Sequence, residues 1–295
     1  MDIQQLNSLL ANQIPILVAH GLKPSSAAPY KSAVNAFIGF IRSSAVQDAT
    51  LSPTTIEAFD AHLRAKFNGS STVGTYHSYL KSIINSACLC GLLTSNPYQH
   101  VKVRRSWHTS QRRALSASEL SRLEHIDRSR LSCHQTVVLD RFLFSCYTGL
   151  RISDSLRITK SALVFNHDGL YLDFVSHKGR GSRITLPLDL LAAGKASQIA
   201  RLYSADGRSG NLFPPQSVPT IRKHLTSLAR LAGLSCLTFH MSRHTCATSL
   251  ALSTGSPYLI KAVLGHSSIN TSMHYIHTSG SWLESELRKC LQPNR

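Results

Sequence analysis

Residues 134–158 read HQTVVLDRFLFSCYTGLRISDSLRI. The apolar positions up to Tyr147 are too continuous for a helix with a solvated face, so they predict a buried helix that stops at Gly149. Arg151 follows directly after that glycine turn, and Asp154 comes three residues later. Downstream, ALVFN (162–166), LYLDFVSH (170–177) and SRITLPL (182–188) have strand character. HDG and KGRG separate them, which predicts an antiparallel meander with Lys178 at the tip of the second turn. From about residue 189 the helical period returns in DLLAAGKASQIARLY, VPTIRKHLTSLARLAG, HMSRHTCATSLALST, SPYLIKAVLG and finally SWLESELRKCL. The expected fold class is mostly α with a small antiparallel β-sheet.

Upstream of residue 100 the chain reads as a small all-α bundle. Tyr30, Val34, Phe37, Ile38 and Ile41 recur at helical spacing. Ser52 before Pro53 is a helix start, and a stripe through Tyr76, Leu80, Ile83, Ile84 and Ala87 ends at Gly91. Between the two parts, residues 100–112 are basic and lack an amphipathic period. A capping box, Ser116 with Glu119, then opens a new helix. The expected organisation is a helical domain at 1–99, a linker at 100–112 and a second, mixed domain at 113–295. Lys102, Arg104, Arg105, Arg112 and Arg113 are candidates for crossing a DNA backbone, against the alternative of a merely solvated basic linker.

Composition limits the partners. The 295 residues hold 32 Lys+Arg against 15 Asp+Glu, a net charge of +17, with 42% hydrophobic residues. That is enough apolar material for a core, and a field of that sign captures polyanions, nucleic acid first. The N-terminal stretch lacks the layout of a signal peptide, and no run reaches the roughly 18–20 apolar residues of a membrane span. A cytoplasmic, membrane-free protein is the expectation. The seven cysteines show no C-x-x-C pairing, so free thiols are expected and zinc is not.

Four stretches carry chemistry: YTGLRISDSLRI with Arg151 and Asp154; SHKGRGSRITLPL with Lys178, Arg180 and Arg183; LTFHMSRHTCATSLA with His240 and Arg243 one helical turn apart; and LGHSSINTSMHYIH with His266 and Tyr275. Two guanidiniums suit the non-bridging oxygens of a phosphodiester under attack. Lysine or histidine can protonate a leaving oxygen, and a tyrosine among cations can act as a nucleophile. These stretches hold no acidic cluster of the kind that binds Mg²⁺, which disfavours a two-metal mechanism. His240 and His244 stand at i and i+4, but without the glutamate of H-E-x-x-H they do not make a zinc motif. His244 is expected to cap or pack its helix.

TGLR, HKGRGSR, HMSRH, LGH and Tyr275, in that order and with nine residues from His266 to Tyr275, resemble the tyrosine recombinase (phage integrase) family at the size of its Xer-like members, with a fainter likeness to integrases of bacterial mobile elements. The resemblance implies a two-domain architecture, a helical core-binding (SAM-like) domain followed by a mixed α/β catalytic domain. It implies a site-specific DNA recombinase that cuts and rejoins strands through a 3′-phosphotyrosyl intermediate and a Holliday junction. Arg151 and Arg243 would clamp the scissile phosphate, and Lys178 would protonate the leaving 5′ oxygen. His240 would be the acid–base partner of the tyrosine, His266 a donor to the phosphate and Tyr275 the nucleophile, with Asp154 steadying the site. Arg180 and Arg183 flank Lys178 as DNA-binding candidates. Double-stranded DNA is the implied partner, bound by a homo-tetramer on paired sites that is a monomer off DNA, with accessory DNA-bending proteins compatible. No cofactor and no metal are implied. The amphipathic tail with Trp282, Leu283, Leu287 and Leu291 would dock on a neighbouring subunit or pack in cis. The length leaves no room for an additional arm-binding domain. A type IB topoisomerase-like strand relaxer, a non-catalytic DNA-binding regulator of the same fold and a zinc-dependent protein are the competing readings.

Overall fold

A computed structural model of the chain describes residues 2–43, 51–68, 71–103, 113–177 and 181–278. Arg104, Arg105 and Arg112 of the basic stretch, Lys178 and Arg180 of the hairpin, and the amphipathic tail lie outside the described residues. The chain divides into two compact units, Met1–Ser110 and Gln111–Arg295.

The first unit packs four helices, α1 (Ile3–Ala19), α2 (Ala27–Ser43), α3 (Pro53–Phe67) and α4 (Ser71–Leu89). Asp2 and Gln5 close a capping box on α1, and the Ser52 hydroxyl accepts the Thr55 amide at the start of α3. Each thereby satisfies amide groups that have no partner inside the helix. The apolar stripes of the four helices meet in a core that includes Leu6, Leu10, Phe37, Phe59, Leu80 and Ile84. One polar cluster lies within it: the Nδ1 of His77 is 2.8 Å from the Tyr98 hydroxyl, and its Nε2 is 3.2 Å from Asp60. Val101 and Val103 pack against this core, so the alternation turns Lys102 outward.

In the second unit, α5 (Ala117–Glu124) begins at the Ser116–Glu119 capping box. It is followed by α6 (Cys133–Thr148), whose residues from Val137 to Thr148 are all buried. A helix buried on every side is a core helix, and the remaining elements surround it. The short α7 (Ile152–Ser155) leads into β1 (Leu163–Asn166), β2 (Gly169–Val175) and β3 (Arg183–Pro187), an antiparallel meander in sequence order. Its register aligns Leu163, Leu172 and Leu186 in one row, and all three are buried. Next come α8 (Lys195–Ser204), α9 (Val218–Leu231), α10 (Phe239–Thr254), α11 (Pro257–Leu264) and α12 (Ile269–Thr278). Mostly helical with a three-stranded antiparallel sheet, the described chain has the expected fold class.

The helix expected from about residue 189 is corrected. Residues Leu191–Gly194 form a 3₁₀ turn in which Ala192 and Ala193 have φ of 51° and 53°, and α8 starts only at Lys195. The reason is non-local. The Asp189 carboxylate accepts the Leu170 amide of β2 at 2.7 Å, which fixes the chain to the sheet and forces a tight reversal before the helix.

Arg141, fully buried on α6, donates to the carbonyls of Ser155 (3.1 Å) and Pro214 (2.6 Å) and lies over the Phe213 ring. Burial lowers its pKa to about 10. It ties the core helix to the end of α7, the segment that carries Arg151 and Asp154.

Candidate active site

α10 brings two of the chemical stretches together. Arg243, 5% exposed, donates from Nη1 to the Gly149 carbonyl and from Nη2 to the Leu264 carbonyl, each at 2.7 Å. Those two residues stand at the C-terminal ends of α6 and α11, where unpaired carbonyls and the negative end of the helix dipole favour a cation. That environment offsets a large desolvation cost. Burial pushes the Arg243 pKa down to about 10, and the nearby Arg151 charge pushes the same way. Both helix ends need their glycines. Gly149 and Gly265 have φ of 71° and 62°, and a Cβ would run into the side chain of Leu264 at the first and of Ile184 at the second.

Arg151 caps α7 and donates from Nη1 to the Ser176 hydroxyl at 3.2 Å. It is 3.9 Å from Asp154, whose carboxylate is buried and accepts the His177 amide at 3.0 Å and the Ser176 hydroxyl at 3.4 Å. Asp154 thus joins the root of Arg151 to the end of β2, just before Lys178. The Nη1 of Arg157 reinforces the same junction by donating to the Nδ1 of His177 at 2.9 Å.

The last contributions come from α12 and the turn before it. Tyr275 is 7% exposed, and its ring lies nearly parallel to that of His266, 8° between planes with centroids 6.4 Å apart. The Nδ1 of His266 is 2.9 Å from the hydroxyl of the fully buried Ser272. The Tyr275 hydroxyl is hydrogen-bonded to the Nδ1 of His244 at 2.7 Å. His240 is exposed on the first turn of α10, and its ring stands edge-on to His244 with centroids 4.5 Å apart.

Of the residues singled out by sequence, the fold gathers Arg151, Asp154, Arg243, His266 and Tyr275, with His240 at the rim. His244, expected to cap or pack its helix, is buried and also reaches across to the phenol on α12. The signal was available, since His244 is adjacent to Arg243 and one turn from His240, but helical spacing alone does not say which histidine faces an element 31 residues away. Beside these two rings no third metal-ligating side chain stands among the described residues. Arg113 bonds to Glu119 and Ser235, and Arg183 grips Asp173 through Nε and Nη2. Both are exposed arginines with partners in their own unit. Among the described residues no helix is long and apolar enough to cross a membrane.

Residues 113–281, which contain every group above, match the phage integrase family, and residues 9–103 match the phage integrase SAM-like domain. The chain belongs to the phage integrase family. This family member is 33% identical over 149 residues to tyrosine recombinase XerC of Rickettsia prowazekii, a match covering 46% of each protein. It is 25% identical over 253 residues to the integrase of Escherichia phage 186, covering 84% of this chain and 63% of that one. The chain spans about half the length of the curated relatives it matches. The crystal structure of a lambda integrase dimer bound to a COC′ core site aligns with a TM-score of 0.74 at 20% identity, over 93% of this chain and 78% of that one. At that identity the likeness is one of fold.

Proposed function

We propose that this phage integrase family member is a site-specific DNA recombinase that breaks and rejoins strands by transesterification on Tyr275. The observation that carries the reading is a phenol hydroxyl hydrogen-bonded to an imidazole within the electrostatic reach of a buried guanidinium. Arg151 and Arg243 stabilise the charge that develops on the non-bridging oxygens as the phosphorus becomes five-coordinate. Tyr275 attacks, a histidine of α10 handles its proton, His266 donates to the phosphate and Lys178 protonates the leaving 5′ oxygen. Asp154 holds the hairpin root that presents Lys178. The phosphotyrosyl ester keeps the bond energy of the diester, so resealing needs no nucleotide.

Exchange between duplexes follows when a 5′ hydroxyl from a partner site attacks the ester, which passes through a Holliday junction and calls for a tetramer on two sites. The net charge of +17 and the DNA-bound state of the lambda integrase neighbour support double-stranded DNA as the partner. Lys102, Arg104, Arg105, Arg112, Arg113, Arg180 and Arg183 are the proposed phosphate contacts. The helical part at 1–99 and the catalytic part at 113–295, joined through 100–112, take the two binding roles.

The test is covalent selection. The protein is incubated with duplexes carrying a nick and a randomised central segment, and strands that remain attached under denaturing conditions are sequenced. Peptide mapping should find the 3′ phosphate on Tyr275. Attachment elsewhere, or none, overturns the reading. Relaxation of supercoiled plasmid without exchange between two recovered sites would point to a topoisomerase-like activity instead.

A further inference from the structure

The recombinase reading leaves open which imidazole removes the phenolic proton, and family resemblance would give that task to His240. The geometry points to His244. We propose that His244 is the general base for Tyr275, taking the Oη proton on its Nδ1 as the oxygen attacks phosphorus; the inference rests on the recombinase reading of the same site.

Three observations carry it. First, distance: His244 Nδ1 and Tyr275 Oη are 2.7 Å apart, inside the 2.6–3.2 Å range for direct proton transfer. Second, enclosure: the two residues are 5% and 7% exposed, so water has little access to compete as the proton acceptor. Third, placement: the His244 ring adjoins both the Tyr275 ring and the His240 ring, with centroids 5.8 Å and 4.5 Å away. Arg243 directs both terminal nitrogens at backbone carbonyls, His266 lies flat beside the Tyr275 ring, and His240 meets the edge of His244 from the exposed side.

The step balances. The Oη–H proton moves to His244 Nδ1, the Oη–P bond forms and the P–O5′ bond breaks. The departing O5′ receives a different proton, from Lys178 in the proposed scheme. In resealing, a 5′ hydroxyl gives its proton to that same acid site, the P–Oη bond breaks, and His244 returns the proton to the tyrosine oxygen. The imidazole needs its Nδ1 unprotonated at the outset, with the ring proton on Nε2. A cation formed there stands in a site that already holds Arg151 and Arg243, which opposes it until a phosphodiester brings negative charge. Proton removal is therefore coupled to the presence of substrate.

The titratable and charged groups around this pair are His240 beside His244, His266 beside Tyr275, and Arg243, on which Arg151, Cys246 and Asp154 act in turn. Any pH profile has to be read against them. The discriminating variants are His244→Asn, whose amide can replace the hydrogen bond at the Nδ1 position but cannot carry the proton, and His240→Gln. Duplexes recovered by covalent selection are prepared with the usual 5′ oxygen or with a sulfur bridge, whose thiolate leaves without a proton. Single-turnover adduct formation by His244→Asn should fall by ~10²-fold or more on both substrates, the scale of a lost general base. Its rate should keep rising with pH where the wild-type rate has levelled. His240→Gln should lose less than His244→Asn, and Lys178→Ala should be rescued by the sulfur bridge alone.

A wild-type rate and pH profile for His244→Asn overturns the inference, as does a larger loss in His240→Gln. If the histidine variants melt early or fail to bind duplex, the wild-type protein decides. With the sulfur-bridged duplex, cleavage should show a solvent deuterium isotope effect, and its absence overturns the inference. Failure of the wild-type protein to form any adduct would instead remove the recombinase reading itself.

Discussion

The two units each bury a histidine against a tyrosine, and the pairs have nearly the same length. In the helical unit His77 is 2.8 Å from Tyr98, and in the second unit His244 is 2.7 Å from Tyr275. What surrounds them differs in sign. The first pair is completed by Asp60, 3.2 Å from His77 though off the hydrogen-bond line. Burial, with the Asp60 charge adding to it, drives the Tyr98 phenol well above its ordinary range, so it stays protonated. Burial also lowers the His77 pKa, against the opposing pull of Asp60. The second pair has Arg243 on the same helix, with Arg151 acting on Arg243 in turn. A carboxylate beside the pair makes a locked strut, whereas guanidiniums make a place where an oxyanion can form. On the proposed function, the same two side chains are inert in one setting and reactive in the other.

The sharpest way to break that comparison is to remove each phenol oxygen. Tyr275→Phe should abolish the covalent adduct on denaturing gels while leaving duplex binding nearly unchanged, and Tyr98→Phe should leave the adduct intact. Replacing the cation comes next. Arg243→Lys keeps the charge but cannot span two carbonyls and a phosphate, and single-turnover cleavage should slow by ~10²–10³-fold, the cost of losing a preorganised donor. On the other side, Asp60→Ala removes the carboxylate that stands 3.2 Å from His77 and accepts from the Nε of Arg64 at 2.6 Å, and should destabilise the protein by about 1–3 kcal/mol in urea titration, with cleavage chemistry unaffected. Tyr98→Phe should cost about 1 kcal/mol by the same measurement, the net value of one hydrogen bond.

The smallest effect concerns acid. Because His77 has a depressed pKa when folded, its contribution is fully present above the ordinary imidazole value of about 6.5 and is lost as pH falls through the lowered value. Urea midpoints should therefore drop between neutral pH and pH of about 5, and His77→Gln should drop less. An equal drop in both would mean that other groups dominate.

Local chemistry explains what could be read from the sequence. The buried α6, the capping box at Ser116 and Glu119, the strand alternation and the glycine stops at Gly149 and Gly265 each depend on neighbours within a few positions. The order of the motifs along the chain was enough to anticipate the gathering of Arg151, Arg243, His266 and Tyr275. What stayed hidden depends on contacts distant in sequence. The left-handed Ala192 and Ala193 follow from a bond between Asp189 and Leu170, and Arg183 reaches diagonally across the sheet to Asp173. Choosing between His240 and His244 requires knowing where α12 lands on α10. The carbonyls that hold Arg243 come from residues 94 and 21 positions away.

That last arrangement bears on when the cost of order is met. Arg243 has its torsions fixed by two helix ends, so the loss of side-chain freedom, worth ~2 kcal/mol for an arginine, is charged to folding rather than to the encounter with DNA. If Arg243 holds the scissile phosphate as proposed, so stiff a receptor favours speed and geometric strictness over adaptability. A phosphate displaced sideways by a mismatched or distorted duplex would find the fork already aimed elsewhere.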